Sequence, residues 1–245
     1  MSHNIELKEG AVIISDAHYS SLRPELFSLI NDIDQRIVPA TQLILMGDIF
    51  DALVGEVPYT HRENKNIISI INKISENIEV IYLEGNHDFN LCKLFPLAQV
   101  FPIEMQPVLC TCSDKKVYLS HGDFDGKFLY KSYTKLIRNS WILFVLNLFD
   151  TLYNHNILKK LDKYLSKKDD CKEFIGFTKF IQNRIEDKYE CDYFIEGHFH
   201  QNIALNLHET SYLNLPAFAC NQRYFIVKSL EDKQLFEERN SHKEI

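Results

Sequence analysis

At 245 residues, with 45% hydrophobic and 25% charged residues, the chain has the size and balance of a soluble globular protein with a substantial core, which excludes a disordered or membrane-spanning chain. A net charge of −7 provides no global attraction for polyanions and argues against a nucleic-acid binder. Six cysteines (Cys92, Cys110, Cys112, Cys171, Cys191 and Cys220) contain only one close pair, too few for a zinc ribbon, so reduced thiols are expected.

The start, residues 1–10, is polar and lacks the charged-then-apolar order of a secretory signal, so a cytoplasmic protein is expected. In chain order, short apolar and β-branched runs at 11–15, 43–46, 78–83, 117–120 and 192–196 each lead directly into Asp, Gly, Asn or His. That is the pattern of strands ending in functional loops. Helical periodicity occupies 22–37, 61–76 and 173–189, so strand and helix alternate as in an α/β fold. Runs at 203–207, 212–215 and 224–228 read as further strands with no helix between them. The expected class is α/β with a mixed sheet or a pair of sheets, as a single domain over residues 1–245.

Residues 126–168 interrupt this alternation with a long helical stretch. It carries nine basic residues against Asp150 and Asp162, a local charge of +7 set against −14 for the rest of the chain. It also contains the apolar run 141–149, flanked by Arg138 and Asp150 and far short of the ~20 residues a membrane span requires. Such a stretch either packs its apolar side on the core with lysines in water, or offers apolar and basic surface to acyl chains, a diphosphate or an anionic bilayer. The charge inversion favours the second reading.

Five blocks sit at the strand ends: Asp16-Ala-His18, Gly47-Asp48-Ile-Phe-Asp51, Gly85-Asn86-His87-Asp88, His121-Gly122-Asp123 and Gly197-His198-Phe-His200. Carboxyl ends of strands in an open α/β sheet converge on one crevice, so these blocks can meet. Asp16 with His18, and His198 with His200, are spaced to turn toward one ion as a strand ends. Asp48 can bridge two ions, Asn86 adds a carbonyl oxygen and His121 a further imidazole. A single histidine or Gly-Asp is ordinarily a turn or a satisfied side chain. Five such blocks in order have no shared structural reason to recur. Mixed N/O ligands without thiolate suit two first-row divalent ions, Mn²⁺ first with Fe²⁺ or Zn²⁺ as alternatives, rather than a calcium cage. Two such ions suit hydrolysis of a phosphate ester or anhydride.

The order D-x-H, GDxxD, GNHD, HGD, GHxH over 16–200 resembles the calcineurin-like metallophosphoesterase superfamily. The resemblance implies two packed mixed sheets flanked by helices in four layers, with 126–168 as a helical cap. It also implies one metal held by Asp16, His18, Asp48 and His200, and another by Asp48, Asn86, His121 and His198. His87 matches the catalytic histidine that contacts the scissile phosphate and protonates the leaving group, with Asp51 or Asp88 either orienting it or capping loops.

Size, block order and the basic insertion are similar to the UDP-2,3-diacylglucosamine hydrolases of lipid A synthesis, as a diverged branch with His87 where the common form has Arg. That similarity implies a lipid-linked nucleotide substrate cleaved to UMP and 2,3-diacylglucosamine 1-phosphate. It further implies a peripheral protein at the cytoplasmic face of the inner membrane, with neither nucleic acid nor an obligate protein partner. Two rival readings remain: a soluble phosphoesterase acting on phosphoproteins, cyclic nucleotides or dinucleoside polyphosphates, which needs no apolar cap, and a non-catalytic scaffold, which would not need a full ligand set. Nuclease activity is a weaker third option, because the surrounding chain is acidic and its sequence shows no aromatic-interleaved basic groove of the kind single strands need.

Overall fold

The computed structural model describes residues 5–165, 167–228 and 235–241; of the polar start read at 1–10, residues 1–4 lie outside the described residues. The first part of the chain runs β1 (Ile5–Glu6), β2 (Val12–Ile14), α1 (Glu25–Asp34), β3 (Gln42–Leu45), β4 (Leu53–Val54), α2 (Pro58–Glu63), α3 (Lys65–Ser75), β5 (Glu79–Leu83), β6 (Asp88–Phe89) and β7 (Gln99–Phe101). A hairpin of β8 (Val108–Cys112) and β9 (Lys115–Ser120) precedes the helices α4 (Phe128–Ile137), α5 (Ser140–Leu152) and α6 (Asn156–Leu165). The chain continues through α7 (Phe177–Ile185), β10 (Tyr193–Glu196), β11 (Ile203–Leu207), β12 (Thr210–Asn214), α8 (Phe218–Asn221), β13 (Arg223–Val227) and β14 (Phe236–Asn240).

Two mixed sheets result, one ordered β14-β13-β2-β3-β5-β7 and the other β1-β8-β9-β10-β12-β11. The period of two along the central strands explains why they pack together. Val12, Ile14, Leu43, Leu45, Val80 and Tyr82 face a cluster with Leu26, Leu29 and Ile30 of α1 and Ile67, Ile71 and Ile74 of α3. The alternate residues Ile13, Ile44 and Ile81 meet Val117, Leu119 and Ile195 of the second sheet. On the far side of that sheet, Phe194 and Tyr212 pack on Phe177, Ile181 and Ile185 of α7. Both faces of β2 and β3 are therefore covered, which is why these strands read as unbroken apolar runs. The layers are helix, sheet, sheet, helix.

The helical span 61–76 is divided: α2 ends at Glu63 and α3 starts at Lys65, where the Asn64 side chain turns back to donate to the carbonyls of Ala52 and Thr60. Two expectations need correction. A short helix, α8, does lie among the last strands. Most notably, Cys171 and Cys220 form a disulfide across a separation of 49 residues, while the other four cysteines are free. Reading pair spacing finds only bridges that are close in sequence, and here the fold supplies the proximity.

The stretch 126–168 forms three helices. Asn139 caps α5, its side chain accepting from the N–H groups of Trp141 and Ile142. Asp150 turns the next corner, accepting from Ile157 N–H and Leu158 N–H at the start of α6 and from His155. Leu143 alone among the apolar side chains of α5 is buried, against Val57 and Phe89. Trp141 remains 78% exposed, and Phe144, Val145, Leu146, Leu148 and Phe149 are exposed as well. Helix α6 buries no residue. The run 141–149 thus does not simply cover the core, although no helix among the described residues is long and apolar enough to cross a membrane.

Candidate metal centre

Every block lies beyond the carboxyl end of a strand. β2, β3 and β5 are parallel neighbours that carry Asp16, His18, Asp48, Asn86 and His87, while the parallel pair β9 and β10 carries His121, His198 and His200. The two sheets bring two groups together, Asp16 with His18 and His200, and Asp48 with His121 and His198, each with ligand atoms within 4.8 Å of one another. A third group joins His18, Asp51 and His87.

The loops reach this arrangement through backbone that sequence patterns do not reveal. Asp16, His18, Asp48, His198 and His200 all have positive φ, between 46° and 61°. Left-handed non-glycine residues cost on the order of 1–3 kcal/mol each and cluster at functional sites. The block glycines are required by close approach: a Cβ on Gly47, itself at φ +86°, would lie 2.6 Å from His121 Nδ1, and one on Gly85 would lie 2.2 Å from Asp48 Oδ1.

Hydrogen bonds set which ring nitrogen His121 and His200 offer. His121 Nδ1 donates to the Met46 carbonyl at 3.0 Å and His200 Nδ1 to the Asp170 carbonyl, since a carbonyl can only accept. His18 Nδ1 stands 3.5 Å from Asp51 Oδ1. The opposite nitrogens, His18 Nε2 and His121 Nε2, are buried without a hydrogen-bond partner, as is Asn86 Oδ1. Buried polar atoms are ordinarily satisfied, so these orphans, converging with carboxylates, fit divalent cations.

The charges agree. Burial alone would raise the pKa of Asp16, but the neighbouring His200 outweighs it and holds the group at about 2. Asp48 is likewise held well below the usual carboxylate range against burial, chiefly by His121, whose own pKa that carboxylate raises. Burial, with His121 nearby, lowers His198 to about 4, leaving it neutral and able to ligate at neutral pH.

The two carboxylates considered as partners for His87 act differently. His87 Nδ1 donates to the backbone carbonyl of Asp51 at 2.8 Å, and the His87 N–H donates to Asp48 Oδ1 at 2.8 Å. Asp88 does not face the imidazole. It accepts from the N–H groups of Asp48, Ile49 and Gly85 and from the Tyr82 hydroxyl, capping two ligand loops at once.

Sequence reading missed two arginines that brace the site. A buried glutamate stands directly before Gly85 and before Gly197: Glu84 follows the end of β5 and Glu196 is the last residue of β10. Arg138, inside the insertion, donates to Glu84 at 3.1 Å and to the Gly85 carbonyl at 2.6 Å. Arg184 of α7 donates to both Glu196 oxygens at 2.6 and 2.8 Å, to Asp125 and to the Gly122 carbonyl, tying the His121 and His198 loops together. A glutamate ending an apolar strand just before glycine was the available signal. Arg184→Met strands a fully buried carboxylate, so urea unfolding is expected to show a loss of about 3–5 kcal/mol, of which Arg184→Met/Glu196→Gln recovers a large part. Equal stability of the wild type and the single variant would refute the brace.

Two packed mixed sheets with paired N/O donor groups at their carboxyl ends define a metal-dependent phosphoester hydrolase. The chain belongs to the calcineurin-like phosphoesterase family, whose profile matches residues 11–202. It is 27% identical over 201 residues to the UDP-2,3-diacylglucosamine hydrolase of Haemophilus influenzae strain PittGG, covering 77% of this chain and 81% of that protein. The enzyme of the same name from Histophilus somni strain 2336 is 26% identical over 202 residues, 79% of this chain and 85% of that one. A match to the H. influenzae Rd enzyme is 30% identical but spans only 53% of this chain and 56% of the relative. Among solved structures, an archaeal phosphodiesterase aligns at TM-score 0.48 and 14% identity over 94% of this chain and 98% of that one.

Proposed function

We propose that the chain hydrolyses the diphosphate of UDP-2,3-diacylglucosamine to UMP and 2,3-diacylglucosamine 1-phosphate, with residues 126–168 acting as a cap within a single domain. The observation that carries this reading is the apolar face of α4 and α5, left in water on the stretch whose Arg138 is tied to Glu84 and Gly85: Phe128 is 82% exposed and Trp141 78%. Unpartnered apolar surface of this extent marks a site for apolar ligand or membrane, and a soluble phosphodiester has no use for it. The similarity to enzymes named for that substrate supports the same reading.

In this reading Asp16, His18, Asp48 and His200 hold one ion, and Asp48, Asn86, His121 and His198 the other, with Mn²⁺ favoured by the donor set. When bound, such ions polarise a phosphoryl oxygen, acidify water and offset developing charge. His87, fixed through Nδ1 on the Asp51 carbonyl, presents Nε2 to the leaving oxygen and donates a proton there. A 490 Å³ groove lined by Gly55, Glu56, Lys93, Ser140, Trp141 and Phe144 suits an acyl chain. Lys131 and Lys135, which line a 560 Å³ cleft with Asp123 and Tyr130, are offered to the anionic part. Arg138 is not free for that role, being buried on Glu84. On α6, exposed Ile157, Leu161 and Tyr164 alternate with Lys159, Lys160 and Lys163, a pattern suited to resting on the anionic cytoplasmic face of the inner membrane.

Incubation of purified protein with UDP-2,3-diacylglucosamine and Mn²⁺ is expected to release UMP. An untouched lipid alongside rapid cleavage of bis-p-nitrophenyl phosphate would sink the substrate assignment and leave the metal centre standing.

A further inference from the structure

Residues 168–174 run as a strap between α6 and α7 with no strand or helix hydrogen bonding of their own. Backbone without a ladder holds its place only through specific anchors. Three stand out. Arg23 donates to the buried Asp170 carboxylate and, at 3.2 Å, to the Lys168 carbonyl. Gln201 accepts from Phe174 N–H at 2.7 Å and donates to the Lys172 carbonyl at 3.1 Å. The third anchor is the Cys171–Cys220 disulfide.

The strap and its disulfide partner each contact one member of the same ligand pair. The Asp170 carbonyl takes the His200 Nδ1 proton, which turns His200 Nε2 onto Asp16 Oδ1 at 2.9 Å. Across the bridge, α8 carries Cys220, and the preceding N–H groups of Phe218 and Ala219 donate to the carbonyls of Ser15 and Asp16 at 2.9 and 3.2 Å. One covalent bond therefore joins the element that aims His200 to the element that seats Asp16.

We propose that Asp170 is a positioning residue for His200 and that the Cys171–Cys220 disulfide is a redox latch on that half of the metal centre. Cys171 is exposed and Cys220 partly so, within reach of a reductant. A dithiol opens the bridge by exchange: the S–S bond breaks, each cysteine sulfur gains one electron and one proton, and the dithiol leaves as a disulfide. The opened strap keeps its polar anchors and the packing of Phe174 on Phe177, Phe180 and Phe199 but loses its covalent tie to α8, so the aim of His200 loosens and the ion shared by Asp16, His18 and His200 binds more weakly. Hydrogen-bond partners of ligating histidines typically govern 10- to 100-fold in metal affinity. The ion held at His121 and His198 is braced by Arg184 instead and is unaffected.

This inference rests on the metal assignment above, and the test separates the two. Free Mn²⁺ is titrated by its electron paramagnetic resonance signal against full-length protein, either oxidised or reduced with a phosphine that takes up water oxygen as it cleaves the bridge. One of two sites is expected to weaken by about 10- to 100-fold on reduction. Cys171→Ser/Cys220→Ser is expected to match the reduced protein and to ignore the phosphine. Identical affinities in both redox states, with one site still lost in His200→Ala, would overturn the latch while sparing the metal assignment. Absence of Mn²⁺ binding in every form would overturn both.

Discussion

Asp48→Asn is expected to lower metal-stimulated hydrolysis by on the order of 10³-fold, since interactions worth several kcal/mol at a two-ion centre convert at tenfold per 1.36 kcal/mol. The residue is buried in the group with His121 and His198: Oδ2 lies 3.4 Å from His121 Nε2, and Oδ1 accepts the N–H of His87. Asparagine preserves volume and an acceptor for that N–H, so the fold and the His87 loop are retained. What disappears is the charge that both ions are proposed to share. Circular dichroism unchanged from wild type, together with Mn²⁺ stoichiometry falling below two and kcat/KM falling steeply, is the expected pattern. A variant within tenfold of wild type would remove Asp48 from its bridging role.

The strands and the five blocks were legible because burial on both faces leaves a strand uniformly apolar, and the polar residue that ends it is then conspicuous. The groupings were legible only through order along the chain, which the two sheets convert into proximity. Other features left no mark in local pattern. The left-handed backbone at Asp16, His18, Asp48, His198 and His200 is imposed by tertiary contacts, and none of these is the glycine that would announce it. Asp170 sits in an irregular polar stretch and acts through its carbonyl, a group every residue carries. Arg138 was visible as a charge within a basic insertion, yet its partner Glu84 lies 54 positions earlier, so the count of positive charge overstated what is free to meet a substrate. The apolar run 141–149 also invited an ordinary reading, because a helix apolar all round is normally buried, whereas here only Leu143 is buried among its apolar side chains.

That exposure yields the second large effect. Trp141→Ala/Phe144→Ala is expected to lower kcat/KM for a diacylated nucleotide by about 10- to 100-fold while leaving cleavage of bis-p-nitrophenyl phosphate unchanged, because burying one large apolar side chain against an acyl chain is worth ~1.5–3 kcal/mol. Both side chains line the same groove and already stand in water, so the folded protein gives up little on losing them. Unfolding free energy is therefore expected to stay within about 0.5 kcal/mol of wild type, as for surface positions generally. The two substrates separate the cap from the chemistry: the metal ligands serve any phosphodiester, and the α5 surface serves only one with a hydrocarbon tail. Equal losses on both substrates would mean that α5 supports the metal loops, through the Arg138–Glu84 brace beside it, rather than contacting lipid. No loss on the lipid would return the chain to the soluble phosphoesterases and leave the apolar face to the bilayer alone.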